Sequence, residues 1–289
     1  MAVSRDTRNE ELTKLITFTE ICTLALRSFI LNAFFLSLTN RELMSKFFVL
    51  IVLQFLMAGT LLAQQETGTA NPERVYKISK FKRPIIVDGN WNKRQWRSVK
   101  PILINNPIIN QPHFIPVVKT KMGYDDNNVY LIYQVQDRYV KSVTTQIGGP
   151  VWKDSAVEFF FSPDSNLPAD FFNFEINCGG KPLLGYRSTP RSRIDTMDIK
   201  KIEIAHSMPK TIDMEIVEPI TWTVEFRIPL DMLTKYSNVT RPGKGVVWRG
   251  NFYKIAEITS NPHYLTWAEI SPPGKSFHAP QFFGRLQFK

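Results

Sequence analysis

Residues 151–180 read VWKDSAVEFFFSPDSNLPADFFNFEINCGG. Two aromatic-rich runs, 156–161 and 171–177, flank a Ser/Pro/Asp-rich connection, the pattern of two strands joined by a loop. Side chains alternate sides along a strand. In the second run Phe172, Phe174 and Ile176 therefore share one face, and Phe171, Asn173, Glu175 and Asn177 share the other. The first face is core material. The second is either a solvated face or a hydrogen-bonding surface. Glu158 raises the same question, because it lies between Val157 and Phe159 and a charge buried without a partner is costly.

Outward from this pair the chain continues in the same style. Short β-rich runs recur at 117–122, 129–135, 202–204, 213–216, 222–228, 246–255 and 286–288. Pro and Gly punctuate the spaces between them, and no long helical periodicity breaks the series. These signals predict an all-β fold, an antiparallel β-sandwich of immunoglobulin-like or jelly-roll type. One helical turn is expected around 229–236, where Leu230, Met232 and Leu233 can close an open end. Trp96, Trp222, Trp248 and Trp267 suit packing. With no repeat and no linker, residues 75–289 read as one domain.

The amino-terminal quarter has a different character. Met44-Ser45-Lys46, the apolar run 47–63 and Gln64-Gln65 follow the plan of a secretory signal peptide. The apolar run, interrupted by Gln54 and Gly59, is short for a membrane span. Residues 1–43 are then assigned to an upstream start choice, 44–63 to the signal peptide and 64–74 to a flexible leader. The alternative is a cytoplasmic extension whose apolar stretch 12–38 touches a membrane. Export places the protein in the periplasm, on the cell surface or outside the cell, with no membrane span in the mature part.

Composition bounds the partners. Cleavage after residue 63 leaves Cys178 alone, so stability must come from packing rather than from disulfides. The net charge of +10 becomes +9, from thirty basic and twenty-one acidic residues. Such a balance attracts acidic polysaccharide or an anionic surface. The basic residues are scattered apart from clusters at 77–83 and 187–193. Nucleic acid is not an expected partner, since it calls for a dense basic stripe with stacking aromatics.

The string WKDSAVEFFFSPD followed by FFNFEIN resembles the family 9 carbohydrate-binding modules, especially the stand-alone secreted versions. Ile85 to Asn90, IIVDGN, followed by Trp96 is similar to the family's opening strand. The hairpin around Asp125, Asp126, Asn127 and Asn128 before VYLIYQV, the strands WTVEFRIP and WRGNFYKI, and the closing LTWAEISPP and FHAPQFFGRLQF follow in the family's order. The resemblance implies a β-sandwich that binds poly- or oligosaccharide and is linked to carbohydrate catabolism. It places Glu158 at a sugar-contacting glutamate and Trp152 at one wall of an aromatic clamp. Phe277 stands where the second wall would be tryptophan, and Glu175 where an arginine would be expected. Asn177 and Asn251 fall near amide positions of the binding strands. Structural calcium is also implied, with Asp88, Asp125, Asp126 and Asn128 as oxygen donors.

Three other classes stay open beside a non-catalytic binder. Glu158 and Glu175 are a carboxylate pair of the kind that hydrolyses glycosidic bonds, although no nucleophile elbow is present. A haem-binding sandwich would need an axial pair drawn from Met122, Met197, Met208, His206, His263 and His278. A sandwich that has lost sugar binding would serve protein interaction. The dispersed histidines disfavour zinc.

Overall fold

The computed structural model describes residues 73–109, 112–166, 170–188, 192–271 and 276–289. The expected upstream extension, the signal peptide and all of the leader before Glu73 lie outside these residues. In chain order the strands are β1 (Val75–Lys80), β2 (Ile102–Leu103), β3 (Asn106–Pro107), β4 (Val117–Tyr124), β5 (Asn128–Asp137), β6 (Val140–Ser142), β7 (Ala156–Ser162) and β8 (Phe171–Asn177). They continue as β9 (Pro182–Arg187), β10 (Ser192–Arg193), β11 (Glu203–His206), β12 (Ile212–Ile216), β13 (Ile220–Pro229), β14 (Val247–Ala256), β15 (His263–Thr266) and β16 (Gly284–Phe288). Helical turns α1 (Arg94–Arg97), α2 (Thr196–Ile199) and α3 (Leu230–Leu233) interrupt the strands.

The strands form a curled sandwich in the order β10-β9-β8-β7-β14-β16-β1-β4-β5-β13-β11. Every pairing is antiparallel except those of β1. Its first residues run parallel to β16, from Val75 opposite Arg285 to Ile78 opposite Phe288. Its last two, Ser79 and Lys80, run parallel to Gly123 and Tyr124 of β4. One strand thus turns the corner between two sheets, and the fold is mixed where the sequence pattern predicted purely antiparallel pairing. The parallel arrangement arises because neighbours far apart in sequence are joined to β1 by long crossovers rather than hairpins.

Alternation fills the space between the sheets. Phe159, Phe161, Phe172, Phe174 and Ile176 point inward with Trp248 and Phe252, against Leu131, Tyr133, Val135, Trp222 and Phe226 of the facing sheet. β-branched and aromatic side chains fit this pleated, buried surface. The phenol of Tyr133 crosses the core and donates to the carbonyl of Glu158 at 2.8 Å. Trp96, Trp222, Trp248 and Trp267 are all buried, as their packing role requires.

Two polar arrangements hold the frame. Glu225, fully buried, accepts from the backbone N–H groups of Asp88 (2.9 Å) and Gly89 (2.7 Å) and from the indole N–H of Trp96 (2.7 Å). Lys93 Nζ adds a salt bridge at 2.7 Å. Gly89 sits at φ +76°, a conformation that favours glycine. The VDGN segment, Trp96 and the glutamate of WTVEFRIP therefore occur together because one carboxylate ties them. In the β4–β5 turn, Asp125 Oδ1 accepts from Asn127 N and Asn128 N, each at 2.8 Å, and its Oδ2 accepts from Tyr130 at 2.6 Å. This is the turn chemistry that Asx residues supply.

Candidate functional site

The outer face of β7, β8 and β14 is not solvated, although its row reads Asn, Glu, Asn. Phe277, Phe283, Ile270 and Ile108 fold over it and pack on Phe160, Phe171, Tyr253 and Ile255. Beside this lid the face opens into a cavity of about 580 Å³, within the range of small-molecule sites. Trp152, Glu158, Glu175 and Phe277 all line it.

Glu158 and Glu175 form its floor, directly opposite each other across the β7–β8 ladder. Glu158 is 2% exposed and Glu175 4%. Glu175 Oε1 accepts from Asn173 Nδ2 at 2.9 Å, while Glu158 Oε2 has no hydrogen-bond partner among the described residues. Burial, followed by the charges of Glu175 and Glu257, pushes the Glu158 carboxyl well above the usual carboxylate range, and Lys254 opposes this only in part. Gly185 of β9 lies beneath Asn173: a Cβ there would stand 2.5 Å from Asn173 Oδ1.

Trp152 projects from a 3₁₀ turn, Val151–Lys153, and is half-buried. The turn is pinned on both sides. Lys153 O accepts from Glu257 N (3.0 Å) and Ile258 N (2.9 Å). The adjacent Asp154, fully buried, accepts from Val143 N (3.1 Å), Thr144 N (3.0 Å) and Asn177 Nδ2 (2.8 Å). The indole is thus presented on a fixed mount. Phe277 is 6% exposed and stacks on Tyr253 with centroids 4.2 Å apart, so it serves as wall and core at once.

Asn177 and Asn251 do not line the cavity. Asn177 is engaged by Asp154 and the carbonyl of Thr144, and its Oδ1 accepts from Lys181 N at 2.7 Å. Asn251 Nδ2 donates to Ala268 O at 2.9 Å and its Oδ1 accepts from Ala268 N at 2.8 Å. Both amides join strands to neighbouring loops.

The structure brings further residues to the site. Glu257, Tyr264, Arg187, Arg193 and His278 line the same cavity. Tyr264 donates to Glu257 Oε1 at 2.6 Å, and Arg187 Nη2 lies 3.0 Å from His278 Nε2. Arg187 and Arg193 bound the basic cluster that the sequence shows at 187–193. Their convergence depends on β9 and β10, whose register is invisible in sequence. Arginine is absent from position 175, but guanidinium groups reach the cavity from the next strands.

The oxygen donors expected for calcium are engaged by protein partners. Asp88 meets Lys93 at 2.6 Å, Asp126 meets Lys80 at 2.5 Å, and Asp125 and Asn128 bond to each other within their turn. No cluster of three or more His, Cys, Asp or Glu among the described residues could hold a metal ion. His206 Nδ1 is bonded to Met208 O at 2.7 Å, and His263 is buried against Lys254. Among the described residues no helix is long and apolar enough to cross a membrane.

Comparison with known proteins follows the same lines. No curated protein matches the chain. A crystal structure of a candidate carbohydrate-binding protein from Bacteroides uniformis superposes with a TM-score of 0.67 at 24% identity, over 75% of this chain and 100% of the other. A family 9 carbohydrate-binding module from Caldicellulosiruptor kristjanssonii in complex with cellotriose superposes with a TM-score of 0.54 at 15% identity, over 75% and 94%. The same organism's module in complex with glucose gives 0.54 at 16% identity, over 75% and 96%. These neighbours share the fold. Residues 90–288 match the family described as carbohydrate-binding family 9, a span that takes in the Trp152 mount, the acidic floor and the closing strand, and the chain belongs to that family.

Proposed function

We infer that the protein is an exported, non-catalytic module that binds poly- or oligosaccharide in the cavity over β7 and β8 and serves polysaccharide breakdown. The observation that carries this is the convergence of Trp152, Phe277 and two acids in one pocket. Sugars present apolar C–H faces and rims of hydroxyls, so a binder combines an aromatic platform with fixed polar groups. Family membership and the sugar complexes of the structural neighbours support the same reading.

Glu158 and Glu175 stand side by side on one floor, where both can meet the hydroxyl rim of a single sugar. Export rests on the signal-like segment 44–63. Amino-terminal sequencing of secreted protein checks it, and a start upstream of Met44 would refute that part.

Calorimetric titration of the full chain with glucose, cellotriose, xylo-oligosaccharides and acidic oligosaccharides tests the function. Saturable binding abolished by Trp152→Ala, with the melting transition little changed, is the expected result. Silence across the panel, or hydrolysis of any member, would refute it.

A further inference from the structure

Glu158 and Glu175 raise a question that sugar binding alone does not answer. Directly opposed residues on one face of an antiparallel pair have Cβ atoms about 4.5–5.5 Å apart, and these two are both buried. Like-charged carboxylates buried side by side cannot both ionise freely. An arginine at position 175 would hold Glu158 ionised, whereas a glutamate there does the opposite.

Several elements bring charged and polar groups to the pair. Glu257, hydrogen-bonded by Tyr264, lines the cavity beside the pair. Tyr253 of β14 is opposite Glu158 in register, and Tyr133 of β5 reaches only its backbone carbonyl. Lys254 of β14 bonds His263 at 2.7 Å and Asp137 at 3.3 Å. Arg187, Arg193 and His278 line the same cavity from β9, β10 and the lid. The net effect on Glu158 favours its neutral form. Its Oε2, buried and without a partner among the described residues, lacks the hydrogen bond that a ligand would complete.

Resting on the carbohydrate-binding reading, we propose that Glu158 meets its ligand as a neutral carboxylic acid. Its O–H donates to one sugar hydroxyl oxygen while Glu175 beside it accepts from a neighbouring hydroxyl, so the pair shares a single proton. The site selects an uncharged sugar with adjacent hydroxyls, and binding weakens as that proton leaves. A sugar bearing an ammonium group would behave in the opposite way, because it favours two ionised carboxylates.

Two measurements on the full chain test this. The first is calorimetry with glucose, cellotriose, xylotriose and glucosamine from about pH 5 to about pH 9. Only the protonated fraction binds, so Kd for the neutral sugars should rise about tenfold per pH unit above the upper titration of the pair. Glu158→Gln, which cannot titrate, should abolish that slope. The second is infrared spectroscopy of the free protein near neutral pH, where a protonated-carboxyl C=O band should be present and missing in Glu158→Gln. Absence of the band, a flat profile, or tighter binding of neutral sugars as pH rises would overturn the proposal whatever else binds. A band with no sugar bound at any pH would refute the carbohydrate reading and, with it, the ligand role of the shared proton.

Discussion

Acidification should attack the fold at His263. The imidazole is 1% exposed, with Nε2 2.7 Å from Lys254 Nζ and Nδ1 2.7 Å from Asn261 O. Lys254 can only donate and the carbonyl can only accept, which fixes the neutral tautomer with its proton on Nδ1. A second proton would go to Nε2, in a dry site and against an ammonium. Burial first, and the Lys254 charge second, lower the His263 pKa from 6.5 to about 3. At 1.36 kcal/mol per pH unit the folded state resists this proton by roughly 5 kcal/mol. The unfolded chain accepts it near pH 6.5. The folded state therefore binds fewer protons between about pH 6.5 and about pH 3, and stability falls as pH falls through that window. The loss is a large part of the 5–15 kcal/mol that holds a typical domain together.

Glu158 acts with the opposite sign. Its raised pKa favours the folded state on acidification, so total stability against pH is a sum of opposing slopes. Comparison with His263→Gln isolates the histidine, because Glu158 is common to both chains. Urea denaturation at stepped pH should show the wild type losing stability relative to the variant on descending from about pH 6.5. NMR titration of the imidazole C–H resonances reads the same property directly. A midpoint close to 6.5, or parallel stability profiles, would refute the reasoning.

Other perturbations have equally definite outcomes. Glu225→Ala strands two backbone N–H groups and an indole N–H and takes from Lys93 one of its two carboxylate partners, Asp88 remaining, and should cost about 3–5 kcal/mol in denaturant unfolding; a loss below about 1 kcal/mol would show that water replaces the carboxylate. Gly185→Ala brings a Cβ within 2.5 Å of Asn173 Oδ1, so it should destabilise by about 1–3 kcal/mol and weaken sugar binding through the Asn173–Glu175 bond. Trp152→Ala should abolish oligosaccharide binding in calorimetry yet barely move the melting temperature, since the ring is half-buried and its mount is built from backbone and Asp154; joint loss of both would assign Trp152 to packing.

The sequence was most legible where periodicity is strong. The 171–177 run is β8 itself, and the run at 156–161 is β7 short of Ser162. The sheet's parallel corner was hidden, because β1 draws its partners from residues 123–124 and 285–288, and no local pattern records such pairing. The site divides in the same way. Trp152, Glu158, Glu175 and Phe277 stand together in one cavity: the two acids lie in strong strand motifs, while Trp152 and Phe277, in a 3₁₀ turn and a loop, were legible only through the family resemblance. Asn177 and Asn251 lie on the same outer side of their strands, and alternation alone cannot tell an amide that meets a cavity from one that ties down a loop. Arg187 and His278 could not have been paired from sequence, since ninety-one positions separate them.

The corner strand also dictates when the domain can form during synthesis. Val75–Lys80 is among the first parts of the sandwich to be made and Gly284–Phe288 among the last, yet they lie side by side, with Arg285 N donating to Arg74 O at 2.8 Å and Lys289 N to Ile78 O at 3.0 Å. Until β16 emerges, the edges of β1 and β14 that it will occupy stay open. Contacts so distant in sequence close slowly, after the loop entropy has been overcome. The sandwich therefore stays unfinished until Gly284–Phe288 has been made, and that strand acts as the latch that commits it.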